Sequence, residues 1–305
     1  MLHLRAPAKL NLYLRVLGRR PDGYHEIETL FERIDLADEL TFEAHPDQVL
    51  LTCTEPSLSC GEENLVVKAA RLLQQVSGTK HGARLHLIKR IPIAAGLGGG
   101  SSDASATLVG LNQLWELGLG HAQLMPLAAT LGSDVPFFLS ESPWAIGRGR
   151  GERCEPLAGL PLAHVLVVPD ARLSTKEIYE SWGSSRARPK TESRDDLTAA
   201  RPSLMMVAHA LSNGPAIAGL AKGLWNDLEP EAIRRCPVIS LIQTQLHDLG
   251  CLGTRVSGSG PAVFGLCPDA RQAQRVAETM RERAARTWRV EVVHTDSSSL
   301  SPIGE

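Results

Sequence analysis

One stretch of the chain reads Pro92-Ile93-Ala94-Ala95-Gly96-Leu97-Gly98-Gly99-Gly100-Ser101-Ser102-Asp103. Four glycines within the five positions 96–100 are costly in backbone entropy, so some demand on the chain must offset them. Small, hydroxyl-bearing residues follow and open a helix. The unpaired N–H groups and positive dipole end of a helix start bind phosphate, and glycines let the backbone approach closely. A tight turn with a cap would need only one or two glycines. The spacing matches neither common nucleotide loop. No Gly-Lys-Ser/Thr is present, and counting from Gly96 puts Ser101 where Gly-x-Gly-x-x-Gly requires its last glycine. The stretch is therefore expected to bind phosphate.

Tyr24 and His25 follow the turn Arg19-Arg20-Pro21-Asp22-Gly23 in a chain with only three tyrosines and five phenylalanines. Aromatics on a loop can stack a nucleobase, at ~1–3 kcal/mol per base. A loop aromatic folded into the core is the commoner arrangement, so both readings stay open. Asp134 lies between an apolar helix end and Val135-Pro136-Phe137-Phe138, an unusual surface setting for a carboxylate. A carboxylate in such a setting can act as a general base. As isolated residues, Asp134 fits a turn or cap equally well, and Lys9 fits a solvated strand lysine better.

Three ordered motifs spanning residues 6–264 change that balance. They are Pro7-Ala8-Lys9-Leu10-Asn11-Leu12, the glycine-rich stretch, and Ser257-Gly258-Ser259-Gly260-Pro261-Ala262-Val263-Phe264. Together the chain resembles the GHMP kinase superfamily of galactokinases, homoserine kinases, mevalonate kinases and phosphomevalonate kinases. Arg19–His25, Gly132-Ser133-Asp134-Val135-Pro136-Phe137-Phe138 and Asn226-Asp227-Leu228-Glu229 are similar to one branch of it. That branch phosphorylates the 2-hydroxyl of a cytidine-diphosphate-linked methylerythritol in the non-mevalonate route to isoprenoid precursors. One departure is Ala94-Ala95, where relatives often carry glycine; both residues are small.

The resemblance implies an α+β, two-lobed GHMP kinase fold. A ribosomal-protein-S5-domain-2-like lobe with the phosphate loop would occupy residues 1–158, and an α+β C-terminal lobe residues 159–305. It implies ATP as phosphoryl donor with accompanying Mg2+, whose ligands it leaves unassigned. Lys9 and Asp134 fall on the catalytic pair, and Pro92 to Ser102 on the ATP loop. Asn11 matches the residue that contacts the polyol hydroxyls. Tyr24 and His25 clasp the cytosine, with Tyr179 opposite and Thr175 preceding it. A kinase for mevalonate, homoserine or a sugar would not need Tyr24-His25. A catalytically dead relative would not need Lys9, Asp134 and all three glycine motifs.

The elements that must position these residues are legible as local patterns. Residues 10–16 alternate as a half-buried strand, and 28–36, 39–44 and 48–53 are further strands. Asn64 caps a helix ending at Gly78. Residues 84–89 feed the glycine loop, and a helix runs from Ser101 to about Leu117. In the second half, 165–168 is a buried strand and 174–182 a helix, followed by helices near 203–211 and 238–248. A strand–glycine loop–strand element spans 250–266, a helix covers 269–286 and a closing strand 288–294. Residues 183–203 are polar and charged and read as a mobile surface segment. Arg148, Arg150 and Arg153 read as solvated arginines on a glycine-rich hairpin.

Composition narrows the classes that remain. The chain has 305 residues with 43% hydrophobic and 22% charged residues, those of an ordinary globular protein. A net charge of −2, from 32 basic against 34 acidic residues, argues against nucleic acid or an anionic membrane as partner. Six scattered cysteines without a C-x-x-C pair read as reduced thiols. No apolar run reaches the roughly 18 residues of a membrane span, and no targeting segment is visible. The expectation is a cytoplasmic enzyme acting on a small molecule as a monomer or weak homodimer.

Overall fold

The computed structural model describes residues 1–187, 202–213 and 217–298. The chain begins with two long antiparallel strands, β1 (Leu2–Arg19) and β2 (His25–His45). The turn between them is the Arg19–Gly23 segment, with Gly23 at φ +86°. β2 is one strand where two were expected. Register shifts opposite Pro7/Ala8, Asn11/Tyr13 and Val16/Gly18 let it bend without ending. β3 (Val49–Cys53), α1 (Leu65–Ser77) and β4 (Gly82–Ile88) follow. α1 is bounded as its sequence indicates: Asn64 Oδ1 accepts from Val66 N at 2.9 Å, and Gly78 ends the helix in the left-handed region.

After the glycine loop come α2 (Gly99–Leu114), α3 (His121–Leu131), α4 (Val135–Phe138) and the hairpin β5 (Trp144–Gly149) and β6 (Arg153–Leu157). α2 starts two residues before Ser101, at the third glycine of the run. The second half contains β7 (Ala163–Val168), α5 (Thr175–Ala187), α6 (Leu204–Asn213), α7 (Ile217–Gly223), β8 (Trp225–Asn226) and α8 (Glu229–Arg235). It closes with α9 (Val238–Asp248), β9 (Gly253–Val256), β10 (Val263–Cys267), α10 (Ala270–Arg283) and β11 (Arg289–His294). Residues 183–187 continue α5 rather than opening a loop; 188–201 of the expected mobile segment lie outside the described residues. The four elements α4, α7, β8 and α8 are two to seven residues long. They are too short to carry a periodic signal.

Two sheets result. A seven-stranded sheet has the order β3-β4-β2-β1-β8, with the β5–β6 hairpin joined to β2. A four-stranded antiparallel sheet has the order β11-β7-β10-β9. α1, α2 and α3 share one core with the first sheet through Leu4, Phe42, Leu73, Leu87 and Leu108. α8, α9 and α10 share another with the second through Val165, Ile239, Leu246 and Met280. A third core, including Leu10, Leu12, Ile34, Trp144, Leu166 and Phe264, joins the two sheets. Buried Glu32 of β2 and His164 of β7 bond across it at 2.8 Å.

Alternation along β1 places the site. Leu4, Ala6, Ala8, Leu10 and Leu12 are fully buried apolar positions. Lys9 and Asn11 alternate with them, so their side chains leave the strand on the opposite face, where Phe31 is the cross-strand neighbour of Asn11. Among the described residues no helix is long and apolar enough to cross a membrane.

At α10, Asp269 accepts from Gln272 N at 2.7 Å and buries Ala273, Val276, Ala277 and Met280 on one helix face. Asp269→Ala is expected to lower unfolding free energy by ~1 kcal/mol, read by chemical denaturation, without changing kinetic constants.

Candidate active site

The loop between β4 and α2 lies against the loop between β9 and β10, and hydrogen bonds stitch them together. Ala262 N donates to Ala95 O at 3.1 Å, and Ser257 Oγ donates to Gly96 O at 3.0 Å. The glycines serve this packing. A Cβ on Gly96 would fall inside contact distance of Ser257 O, and one on Gly98 would meet Lys9 Cγ and Phe138 Cζ at 3.0 Å. Gly96 and Gly98 also hold φ of +83° and +70°, which side-chain-bearing residues avoid. The sequence reading ascribed the glycines to the approach of phosphate; the folded chain needs two of them before any ligand arrives.

The same geometry leaves the start of α2 open. Gly98 caps it without a side chain, and the first helical bond runs from Ser102 N to Gly98 O. The amides of Gly99, Gly100 and Ser101 therefore have no helical partner and face a cleft of about 1710 Å³. Pro92, Ile93, Ala94, Ala95, Gly96, Leu97, Gly98, Gly99, Gly100 and Ser101 all line it. Ser102 does not: it is fully buried on the inner side of α2 and its hydroxyl has no partner.

Beside the helix start, against Gly98, Lys9 comes together with Asp134. Lys9 Nζ lies 3.7 Å from Asp134 Oδ2, with Lys9 buried and the Asp134 side chain 31% exposed. Asp134 occupies the N-cap position of α4 yet makes no cap bond, so its carboxylate is free to face the cleft. Lys9 is not the solvated strand residue its type suggests. Burial pulls its ammonium below the ordinary lysine value, against the opposing charge of Asp134. Lys9 Nζ also donates to Asn11 Oδ1. The orientation of that amide is set behind it: Asn11 Nδ2 donates to Thr29 Oγ1 at 2.8 Å, and Thr29 Oγ1 donates to Tyr13 O at 2.7 Å. With its amide nitrogen committed to Thr29, Asn11 can offer Lys9 only oxygen.

The other end of the cleft is aromatic. The His25 and Tyr179 rings lie 5.0 Å apart at 32°, and Trp182 meets His25 edge-on at 5.9 Å. Tyr24 is 53% exposed, and the Arg150 guanidinium stacks on its ring at 4.5 Å. Arg150 is thus a cleft residue, not the solvated hairpin arginine expected, because the β5–β6 turn folds back until Gly151 lies beside Asp134. Tyr179 packs on His25 rather than facing Tyr24. Burial, then the Arg19 charge, hold the His25 imidazole below its ordinary value, so near neutral pH it offers one donor and one acceptor nitrogen. Thr175 Oγ1 bonds Ser259 Oγ at 2.8 Å and ties the start of α5 to the second glycine loop.

Asn226–Glu229 holds that second loop against β1. Asn226 Nδ2 donates to Val256 O and Gly258 O at 2.8 and 2.7 Å, and Glu229 Oε2 accepts from Val256 N at 2.8 Å. Asp227 Oδ2 accepts from Val16 N at 2.9 Å. Sequence reasoning marked this stretch without assigning it a task. It did not find Thr29, Phe31, Arg150 or Trp182, whose parts depend on strand pairing and on where a hairpin and a helix fold.

The GHMP kinases N terminal domain model matches residues 64–142 and the GHMP kinases C terminal model residues 205–286. At 19% identity, a homoserine kinase from Cytophaga hutchinsonii has the same fold, with TM-score 0.75 over 97% of this chain and 94% of its own. Fold and family models together define a GHMP kinase, an ATP-dependent phosphotransferase for small molecules. Curated 4-diphosphocytidyl-2-C-methyl-D-erythritol kinases are more similar. That of Pelotomaculum thermopropionicum is 43% identical over 90% of this chain and 92% of its own. That of Moorella thermoacetica is 42% identical over 92% and 95%. A crystal structure of 4-(cytidine 5'-diphospho)-2C-methyl-D-erythritol kinase is 38% identical with TM-score 0.76, covering 96% of this chain and 99% of that one. The chain belongs to the 4-diphosphocytidyl-2-C-methyl-D-erythritol kinase family.

Proposed function

We propose that this protein transfers the γ-phosphoryl group of ATP to the 2-hydroxyl of 4-diphosphocytidyl-2-C-methyl-D-erythritol, in the non-mevalonate pathway of isoprenoid precursor synthesis. The observation that carries the reading is the Lys9–Asp134 pair at 3.7 Å, facing the open start of α2 in one cleft with His25 and Tyr179. Asp134 accepts the proton of the acceptor hydroxyl. The oxygen then bonds to the γ-phosphorus as the bond to the β-phosphate oxygen breaks and ADP leaves. Lys9, 3.7 Å from the carboxylate, stabilises the oxygen as charge builds on it.

The loop from Pro92 to Ser101 receives the ATP phosphates, chiefly through the amides at the start of α2; buried Ser102 does not reach them. Among the described residues no group of three or more His, Cys, Asp or Glu stands ready for a metal. Mg2+ is accordingly proposed to arrive on the nucleotide phosphates, and no residue is assigned to it. The division into lobes 1–158 and 159–305 is proposed on the second sheet, all of whose strands follow residue 158, although β8 at 225–226 joins the first; the cleft is lined from both. The enzyme is proposed to act in the cytoplasm as a monomer or weak homodimer.

Asn11 would meet the polyol side of the acceptor, and Tyr24, His25 and Tyr179, with Thr175 before it, its cytosine. A flat, neutral pyrimidine offers π-faces and one polar edge, which the exposed Tyr24 ring and the packed His25–Tyr179 pair with its neutral imidazole suit. Tyr24→Ala and Tyr179→Ala are each expected to raise KM for the cytidine substrate by roughly 5- to 150-fold, the equivalent of ~1–3 kcal/mol, with KM for ATP near normal. A rise in the ATP value alone would assign these rings to the wrong nucleotide.

The reading as a whole is tested by ADP release from purified enzyme offered diphosphocytidyl-methylerythritol, mevalonate, homoserine and galactose in turn. Turnover of the first alone is expected. Turnover of another acceptor in preference to it would overturn the assignment.

A further inference from the structure

Beneath the phosphate loop lies a cluster that the reaction above does not use. Lys89 follows β4, and its Nζ donates to Asp38 Oδ2 on β2 and to Asp103 Oδ2 on α2, the latter at 2.7 Å. The three side chains are 6%, 0% and 3% exposed. Two carboxylates on one ammonium would leave a buried net charge of −1. Lys89 and Asp103 also line the cleft, and a Cβ on Gly99 would sit 3.0 Å from Lys89 Nζ. The surplus charge would thus stand directly behind the helix start that is to receive a polyanion.

The surroundings of the two carboxylates are unequal. Asp38 Oδ1 accepts from the backbone amides of Arg90 at 2.5 Å and Ile91 at 2.8 Å, so donors hold both of its oxygens. Asp103 Oδ1 is buried and accepts no hydrogen bond from a donor among the described residues. We propose that Asp103 carries a proton in the cluster, that Lys89 and ionised Asp38 complete a neutral triad, and that this proton is required for tight nucleotide binding. The inference rests on reading the Gly96–Ser102 stretch as a nucleotide loop.

The electrostatics agree with the geometry. Burial, with the nearby Asp38 charge, pushes Asp103 up to about 8 against the pull of Lys89. Lys89 is penalised by burial, but its two aspartates outweigh that and hold its ammonium above the ordinary lysine value. From β3 the cluster faces Cys53, whose thiol burial keeps protonated. From the loop after β4 comes Arg90, already paired with Glu39 of β2 at 2.5 Å. Below about pH 8 the triad is neutral. Above it Asp103 ionises, the triad becomes net negative, and ATP and ADP are repelled. One added negative charge behind the phosphates weakens nucleotide binding by about tenfold or more.

The test measures KM for ATP and the Kd for ADP between pH 6.5 and 9.5, in wild type and Asp103→Asn. In wild type both constants should rise about tenfold across the alkaline half of the range. Calorimetry at pH 8.5 in two buffers of different ionisation enthalpy should show proton uptake on ADP binding. In Asp103→Asn both constants should be flat with pH and the uptake should vanish. Titration of Lys9, by contrast, would appear in kcat and persist in the variant. Flat wild-type constants, or an equal rise in the variant, would overturn the proposal. The wild-type proton uptake decides the matter alone if Asp103→Asn fails to fold, which a thermal melt would reveal. ADP binding uses no acceptor, so proton-linked binding without turnover of any acceptor would sink the substrate assignment and leave this inference standing. No ADP binding at any pH would overturn both.

Discussion

Asp134→Asn is expected to lower kcat by about 10²- to 10⁴-fold while nucleotide affinity stays near that of wild type. The amide keeps the size of the side chain but cannot take the proton of the acceptor hydroxyl. Because Asp134 makes no cap bond on α4, its replacement should leave that helix in place, so the loss is chemical rather than structural. Lys9→Ala should lose turnover on a similar scale, since it removes the cation 3.7 Å from the carboxylate. It also strands Asn11 Oδ1, whose amide cannot turn because Thr29 holds its nitrogen. Burial lowers the Lys9 ammonium from its ordinary 10.5, so the alkaline fall in kcat should begin below the pH at which a solvated lysine titrates. Single-turnover kinetics with a separate ADP titration measures both effects. A near-normal kcat in Asp134→Asn would show that positioning alone carries the reaction.

Gly98→Val is the second large effect. The new Cβ would lie 3.0 Å from both Lys9 Cγ and Phe138 Cζ, at a φ of +70° that a β-branched residue scarcely adopts. Either the loop moves or Lys9 does, and both outcomes disorder the cleft. Strain of ~1–3 kcal/mol translates to roughly 5- to 150-fold in nucleotide affinity, with kcat falling as Lys9 shifts. Gly118→Val separates the two causes. Gly118 also has a positive φ, +65°, but its Cβ would meet nothing within 4 Å. It should lose stability and keep nucleotide affinity. Unchanged ADP affinity in a folded Gly98→Val protein, read by calorimetry, would remove this loop from the nucleotide site.

Much of the site is legible before folding because its signals are local. The glycine run, the helix that follows, and the Asn64 and Gly78 caps of α1 all act within a few residues. Their spacing is therefore written in the chain, as is the motif order that places Lys9, Asp134 and the second glycine loop in one family. The apolar stripe of α10 is legible for the same reason: a period of 3.6 needs only the helix itself. Less of the strand organisation was visible. The bends of β2 arise from its register with β1, so a break in its pattern looked like a break in the strand.

What tertiary structure alone decided are the relations between residues far apart in the chain. Lys9 could be a solvated lysine until β1 pairs with β2 and the Gly98 backbone closes over it. Arg150 reaches Tyr24 only because the β5–β6 hairpin joins β2 and turns back toward the cleft. Gly96 appears free for a ligand until the loop after β9 arrives from 161 residues away and occupies the space a side chain would need. Lys89, Asp38 and Asp103 become one charge cluster only when β2, β4 and α2 pack together. The sequence determined which local elements form and which chemical groups are available. Burial and proximity are properties of the packed chain, and they decide which of those groups lose water, shift their protonation and meet.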